Sequence, residues 1–254
     1  MARLNGFNGD LKCPLTSIPT VESEIVSPMI GKSHNLDEPF RPDSIEFEYE
    51  LTVFKDVREQ VRKGEWPTEF LATDNPSGLD GDVPELLKTA GVRKYDPLSA
   101  ARLVEMDDPV DVGIHLFKEL RKRGIPLKNQ YNHIPFVEEF VRFIKVLSER
   151  LEAILIKAFE AKYYFGLERP ETYLEIDGDI ITDAVDGAPN HFSYPAGHGS
   201  VFAETFNVLD EFFDMDEMAA YVLDALWQGA HYRTLLGVHY PQDNTAGFKL
   251  AGVI

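Results

Sequence analysis

The chain has 254 residues and carries 43 acidic against 25 basic side chains, which gives a formal net charge of −18. A surface this acidic repels nucleic acids and acidic membranes, so an anion can bind only where local cations oppose the overall field. The single cysteine, Cys13, excludes an intrachain disulfide and a zinc–cysteine cluster.

We expect no signal peptide at the beginning of this sequence. The stretch MARLNGFNGDLKCPLTS lacks an apolar segment of the kind found in signal peptides. No part of the chain reaches the roughly 18 consecutive apolar residues of a membrane-spanning helix. We therefore expect a cytoplasmic protein without membrane insertion.

The N-terminal half predicts an extended arm followed by short helices. Residues 1–44 are rich in Pro, Ser and acidic residues and show no sustained hydrophobic period. A helix is expected between Ser44, a suitable N-cap, and Gly64, a suitable stop. Two more helices are predicted at PLSAARLVEM and PVDVGIHLFKELRKRG. A loop with a short helix at PELLKTAG is predicted over residues 65–97.

The C-terminal half predicts the core of the fold. From about Pro135, apolar residues recur every three or four positions as far as Phe159, which indicates a core helix of roughly seven or more turns. The stretches SVFAETFNVLDEFFDM and DEMAAYVLDALWQGAHYRTLLG predict two further helices, and no run of paired strands is found.

These elements predict an all-α helical bundle whose connecting loops carry the chemistry. The length fits a single domain, residues 1–254. Residues 1–130 would form an N-terminal arm with accessory helices, and residues 131–254 would form the core bundle.

The stretch HFSYPAGHGS, which runs from His191 to Ser200, predicts an anion site. It places glycines and a proline directly ahead of an apolar helical run. A glycine-rich turn that opens a helix leaves several backbone N–H groups unpaired at the positive end of the helix dipole.

The cations that such a site needs lie near two helix ends. Lys162 lies seven residues before Arg169, and Pro170 biases Arg169 out of the helical conformation, so both side chains can project from the end of the long helix. Further along the chain, Arg233 lies six residues before His239. These residues, together with the glycine-opened turn, fit a tetrahedral oxyanion.

Asp243 follows His239 by four residues. If His239 opens a helix, Asp243 lies one turn below it and can hold one ring nitrogen, so that the other nitrogen faces the site.

The order and spacing of these three motifs resemble those of one enzyme superfamily. Residues 162–170 match its first motif, 195–198 its second and 233–243 its third. This superfamily joins type 2 phosphatidic acid phosphatases, bacterial nonspecific acid phosphatases and vanadium-dependent haloperoxidases. The resemblance does not extend to the N-terminal 130 residues.

The resemblance implies an oxyanion-binding role for four residues. Lys162, Arg169 and Arg233 would neutralise the equatorial oxygens of phosphate or vanadate, and the backbone N–H of Gly197 would assist them. Arginine suits this role because its planar fork can grip two oxygens at once. Lys162 also counts among the expected catalytic residues.

The resemblance assigns the catalytic roles to two histidines and an aspartate. His239 would lie in line with the central atom, as the axial ligand of vanadium in a haloperoxidase or as the nucleophile that forms a phosphohistidine in a phosphatase. Asp243 would fix its tautomer, and His198 would act as the acid–base group.

One position departs from the superfamily pattern. The residue before the Gly–His pair is usually serine, and here it is Ala196. The change removes a hydroxyl donor, which costs roughly 1 to 3 kcal/mol if an oxyanion oxygen is left unpaired in a dry site.

Flanking residues bear on the choice between the two chemistries. HFSYPAGH resembles the H-x-SYPSGH of bromoperoxidase-type vanadium enzymes, in which a histidine at the position of His191 lies beside the cofactor, so His191 is a candidate for the halide site. HYPQD resembles the HYPSD common in the phosphatases. We favour a vanadium-dependent haloperoxidase with vanadate as cofactor and with hydrogen peroxide and halide as substrates.

The alternatives are a soluble acid phosphatase that acts on a small phosphoester and needs no cofactor, and a binding module that retains the fold without turnover. In each case phosphate can occupy the same site as vanadate. The short last helix and the long N-terminal arm also predict a homo-oligomer.

Overall fold

A computed structural model describes residues 35–67, 97–106, 108–128, 131, 135–174, 182–216 and 218–254. These residues form eight helices: α1 (Ile45–Arg62), α2 (Pro97–Met106), α3 (Pro109–Lys122), α4 (Phe136–Phe165), α5 (Pro170–Leu174), α6 (Gly197–Phe212), α7 (Met218–Leu235) and α8 (Pro241–Leu250). Among the described residues the only β pairing is an isolated antiparallel bridge between Leu127 and Phe213. The predicted all-α fold is confirmed.

Local sequence signals account for the ends of several helices. The Ser44 side chain accepts a hydrogen bond from the backbone N–H of Phe47 at the start of α1. Asp108 caps α3 through the N–H of Val110, and Pro109 occupies the first helical position. The long helix α4 ends at Gly166, which adopts the left-handed conformation with φ of 60°.

Helix α6 forms the centre of the bundle and contacts α3, α4, α7 and α8. Most of its residues are buried, as expected of a helix that is covered on several sides. The three helices that supply the motif residues, α4, α7 and α8, therefore all pack around α6.

Glycines let α6 and α8 approach each other closely. A Cβ added at Gly247 would lie 2.6 Å from the backbone N of Ser200 and 2.9 Å from the carbonyl O of Ala196. A Cβ added at Gly199 would lie 2.9 Å from the carbonyl O of Asn244. The backbones are in direct contact here, so neither glycine leaves room for a side chain.

The N-terminal helices belong to the same hydrophobic core as the rest of the bundle. Val57 of α1, Ala100 of α2 and Leu116 of α3 are buried in one cluster with α4, α6 and α7 residues. A second cluster joins Leu36 and Phe47 to the end of α4 and to Tyr240. None of the described helices combines the length and the apolar composition needed to cross a membrane.

The helices predicted in the described residues are confirmed, with small differences in their bounds. Helix α6 begins at Gly197 rather than after the glycine-rich turn, so that this turn is its first helical turn. His239 lies two residues before α8, and Tyr240 is the N-cap. The short helix α5 was not predicted. Residues 1–34 and the PELLKTAG stretch lie outside the described residues.

We predict that Gly247→Ala destabilises the protein more than Gly113→Ala, although both glycines are helical. The added methyl group at position 247 clashes with backbone, which costs about 1 to 3 kcal/mol or more. At position 113 it meets the movable end of the Leu147 side chain, and about 1 kcal/mol of helix propensity offsets the clash. Urea unfolding of the two variants measures both free energies; equal losses would contradict a backbone contact at Gly247.

Candidate oxyanion site

Lys162 lies in the last turn of α4 and points into the protein. Its side chain is 0% exposed. The ammonium Nζ donates hydrogen bonds to the carbonyl oxygens of Phe192, at 2.8 Å, and Ser193, at 2.7 Å. These two bonds tie the end of α4 to the loop before α6, and they leave the third donor of the ammonium for another acceptor.

Arg169 bridges two loops. Its Nε donates to the carbonyl O of His191 at 2.7 Å, and its Nη1 donates to the carbonyl O of Val238 at 2.6 Å. The same Nη1 lies 3.4 Å from Nε2 of His239. The long helix ends at Phe165, before Arg169, and Pro170 begins the separate helix α5. Arg169 is non-helical, which agrees with the bias expected of a residue before proline.

His239 and Asp243 form a buried pair. Nδ1 of His239 lies 3.0 Å from Oδ2 of Asp243, and both residues expose 2% or less of their surface. The same carboxylate oxygen accepts the backbone N–H of Tyr240 at 2.9 Å and the hydroxyl of Ser193. Asp243 thus holds Nδ1 of the imidazole on one side, and Nε2 is left on the side of Arg169.

The N-terminus of α6 lies beside this pair. The backbone N–H of Ala196, the N-cap residue, donates to the carbonyl O of Asp243 at 2.8 Å. Helix α6 has no side-chain cap, because alanine offers no hydroxyl acceptor. Gly197 and His198 form the first helical turn, where the amides and the helix dipole favour an anion.

Arg233 completes the cationic group from the last turn of α7. It is 5% exposed, and its carbonyl O accepts the N–H of Val238 in the loop that leads to His239. Its positive charge acts on the site, since it lowers the pKa values of Lys162, Arg169, His198 and His239. The three predicted cations therefore share one buried region.

Burial and positive charge act together on the ionisable groups. Burial, and after it the charge of Arg169, lowers the pKa of Lys162 well below its ordinary value. The pKa of His198 and that of His239 also fall far below the usual range, mainly through burial. Both imidazoles are therefore neutral at neutral pH.

Asp243 is the negative group of the cluster. Burial raises its pKa to about 6, while the hydrogen bond from Ser193 and the charge of Lys162 act in the opposite direction. The carboxylate is thus ionised at neutral pH. The positive charges of Lys162 and Arg169 act on this carboxylate, and the charge of Arg233 acts on Lys162 within the same buried space.

The burial of these three cationic side chains in one region is the strongest physical argument for an oxyanion at the site. Like charges that are buried close together raise the free energy of the folded state, and a bound oxyanion would offset the mutual repulsion of these cations. The donors are ammonium, guanidinium and amide N–H groups, which suit the oxygens of phosphate or vanadate. We name this group, formed by Lys162, Arg169, Gly197, Arg233 and His239, the oxyanion cage.

His191 lies next to the cage. Its Nδ1 is 3.1 Å from Nη2 of Arg169 and 3.0 Å from the carbonyl O of Phe192. Its ring packs edge-on against Phe159, with centroids 5.1 Å apart. Burial, together with the charges of Lys162 and Arg169, lowers its pKa far below the usual range, so the ring is neutral.

Two contributors were not predicted. Ser193, which is 0% exposed, lies within the quoted HFSYPAGH stretch, and a small hydroxyl residue in a buried loop is a signal that could have identified it. The second contributor is the pair of backbone carbonyl oxygens that accept hydrogen bonds from Lys162. Every residue has such an oxygen, so the sequence carries no signal that could have identified these two.

Comparisons with known proteins agree with this architecture. No model of a protein family and no curated protein sequence matches the chain. The chain is similar to a solved structure described as the first bacterial vanadium-dependent iodoperoxidase, with a TM-score of 0.55 and 19% sequence identity. The match covers 86% of this chain and 50% of that chain, so this chain spans half the length of the solved protein. The fold is therefore an all-α bundle of the vanadium haloperoxidase type.

We predict that phosphate binding is accompanied by proton uptake at pH values above the pKa of Lys162 in the free protein. In the free protein, burial and neighbouring cations lower the pKa of Lys162, and a bound dianion would raise it again. Between these two pKa values, binding adds a proton to Lys162, so affinity falls as the pH rises through the lower one.

Isothermal titration calorimetry in buffers of different ionisation enthalpy measures this proton uptake. Lys162→Met should abolish it, whereas Lys157→Met, on the exposed face of the same helix, should retain it. Equal uptake in both variants would contradict the assignment to Lys162.

Proposed function

We propose that this protein is a vanadium-dependent haloperoxidase that oxidises halide with hydrogen peroxide. The observation that carries the proposal is the buried His239–Asp243 pair, with Nε2 of His239 directed to Arg169 at 3.4 Å. The fold shared with a structure described as a vanadium-dependent iodoperoxidase supports this choice.

Vanadate would be held at the oxyanion cage, with His239 as the ligand of the metal. When bound, vanadate supplies a Lewis-acid centre that activates hydrogen peroxide towards attack by halide. His239 suits this position because its imidazole is neutral and Asp243 holds Nδ1, which leaves the lone pair of Nε2 available.

The cationic side chains would bind and orient the oxyanion oxygens. Arg169 is already fixed by two backbone carbonyls, and Lys162 is fixed by two others, so neither loses much conformational freedom on binding. The dry surroundings strengthen each charge–charge contact and exclude water from the reacting groups.

His198 would move protons at the cage. Its ring lies on the first turn of α6 and packs at 90° against Phe202. Because its pKa is lowered in the free protein, the neutral imidazole can accept a proton from hydrogen peroxide. The proposed halide site lies at His191, which contacts Arg169.

A soluble acid phosphatase is the second candidate, and it uses the same residues. In this reaction Nε2 of His239 would attack the phosphorus of a phosphomonoester as the bond to the leaving alkoxide breaks, and water would then hydrolyse the phosphohistidine. A bound phosphate dianion would raise the pKa of His198, so that its protonated form could give the alkoxide a proton. The HYPQD stretch and the group of buried cationic side chains, which suits the oxygens of phosphate, both favour it.

One experiment distinguishes these functions. Purified apoprotein, with and without orthovanadate, is assayed for halogenation of a phenol-type dye with hydrogen peroxide and bromide or iodide, beside hydrolysis of para-nitrophenyl phosphate. We expect vanadate-dependent halogenation. Hydrolysis that vanadate inhibits would instead support the phosphatase, and silence in both assays would support the binding module.

His239→Ala should lower either activity to the level of the assay without protein, because it removes the ligand or the nucleophile. His115→Ala, on α3 and outside the cage, is the matched control and should retain activity. Turnover by pure, folded His239→Ala would contradict the role of this residue in both reactions.

We expect Ala196→Ser to leave activity unchanged or to increase it. Serine at this N-cap can accept a helix N–H, which stabilises by about 0.5 to 2 kcal/mol, or donate its hydroxyl to the oxyanion. Ala203→Ser, on the same helix but in the hydrophobic core, should bring no gain in phosphate affinity. A folded Ala196→Ser variant without activity would show that the loop is shaped for alanine.

A further inference from the structure

The first turn of α8 carries Asp243, and part of its support comes from the N-terminal part of the chain. Tyr240, the N-cap of α8, lacks the short side-chain acceptor that usually caps a helix. The N–H of Asp243 donates to the carbonyl O of Tyr240 at 3.1 Å, whereas the N–H of Gln242 takes its acceptor from a distant part of the chain.

Glu50 of α1 supplies one of these acceptors. Its Oε2 accepts the backbone N–H of Gln242 at 2.9 Å, across 192 residues of sequence. Gln242 directly precedes Asp243, so this bond fixes the peptide next to the carboxylate that holds His239. Burial raises the pKa of Glu50 to about 7, and the charge of Asp243 adds to the effect, which agrees with its position close to the cage.

A second contact holds the same residue from the other end of its side chain. The backbone N–H of Phe40 donates to Oε1 of Gln242 at 2.8 Å, and Nε2 of Gln242 donates to the carbonyl O of Phe40 at 3.4 Å. The side-chain amide of Gln242 thus pairs with both backbone groups of Phe40.

Aromatic packing adds a third contact. The ring of Tyr240 is 0% exposed and lies edge-on to Phe47, with centroids 5.2 Å apart, and against Phe54 at 5.8 Å. Tyr240, which directly follows His239 in sequence, therefore packs against the face of α1 that also carries Glu50. We name Phe40, Phe47, Glu50 and Phe54 the N-terminal clamp.

We propose that the N-terminal clamp positions His239, and that Glu50 is its central positioning residue through the bond to the Gln242 amide. This inference rests on the proposed function in so far as His239 is the reacting residue. It assigns a role to the part of the chain that the family resemblance leaves without one.

The physical reason is that Asp243 determines which nitrogen of His239 carries the proton. Asp243 can do this only if its backbone is fixed to within a few tenths of an ångström, because charge-assisted hydrogen bonds weaken steeply with distance and angle. Without the clamp, the first turn of α8 would keep its sequence but lose the acceptor that fixes its second residue.

Two conservative substitutions of Glu50 distinguish its hydrogen bond to the Gln242 amide from the negative charge of its carboxylate. Glu50→Gln keeps the length of the side chain and an oxygen acceptor but removes the carboxylate. Glu50→Asp keeps the carboxylate but shortens the side chain by one methylene, so that the oxygen no longer reaches Gln242. Glu48→Asp, on the exposed face of α1, is the matched control.

The first readout is the tautomer of His239 in apoprotein labelled with ¹⁵N-histidine, with its signals assigned through His239→Gln. In the wild type, Glu50→Gln and Glu48→Asp we expect one neutral tautomer, with the proton on Nδ1. In Glu50→Asp we expect a second tautomer or exchange-broadened signals. The second readout is phosphate affinity by calorimetry, which we expect Glu50→Asp to weaken by roughly 10-fold.

The proposal is overturned if Glu50→Asp shows the wild-type His239 signals, or if Glu50→Gln is as defective as Glu50→Asp. Should Glu50→Asp fail to fold, Gln242→Ala removes the two hydrogen bonds to the backbone of Phe40 instead. We expect this variant to broaden the same His239 signals. Unchanged signals would overturn the proposal that the clamp positions His239. The tautomer readout needs neither oxyanion nor turnover. A wild type without activity would therefore refute the proposed function and still leave the clamp testable.

Discussion

The burial of three cations beside a single carboxylate is the constraint on which the rest of this structure depends. Lys162, Arg169 and Arg233 each expose 5% or less of their surface, and Asp243 is the negative group among them. Charges removed from water must be paired or hydrogen-bonded, or the folded state becomes unfavourable. Backbone carbonyls from the loops before α6 and α8 meet part of this need, and an oxyanion would meet the remainder.

The architecture follows from the need to bring these groups together from three helix ends. Helix α4 delivers Lys162 in its last turn, α7 delivers Arg233 in its last turn, and α8 delivers Asp243 in its first. Helix α6 packs against all three and presents its own N-terminus to the site. The close backbone contact at Gly247 sets how near the ends of α6 and α8 can lie. A core built in this way is stabilised by apolar packing, and the polar site lies buried where these helix ends meet.

The overall charge of the chain and the local charge of the site have opposite signs. A net charge of −18 repels a free anion at long range. Within the bundle, salt screens the buried cations less than it screens exposed charges. The departure at Ala196 is compatible with the proposed oxyanion site, because its charged groups would supply most of the interaction with an oxyanion and a single neutral hydroxyl would add less.

The sequence by itself determined the helices with a clear hydrophobic period, their caps, and the residue types of the cage, because each of these signals lies within a few residues of the chain. For the same reason, the sequence spacing predicted that Lys162 and Arg169 lie near one helix end and that Asp243 contacts His239. Only the tertiary structure decided that Ser193 shares the carboxylate of Asp243, that backbone carbonyls hold Lys162, and that Glu50 accepts the amide of Gln242. These contacts join residues far apart in sequence through single hydrogen bonds, and neither periodicity nor composition specifies which distant partner a buried polar group will meet.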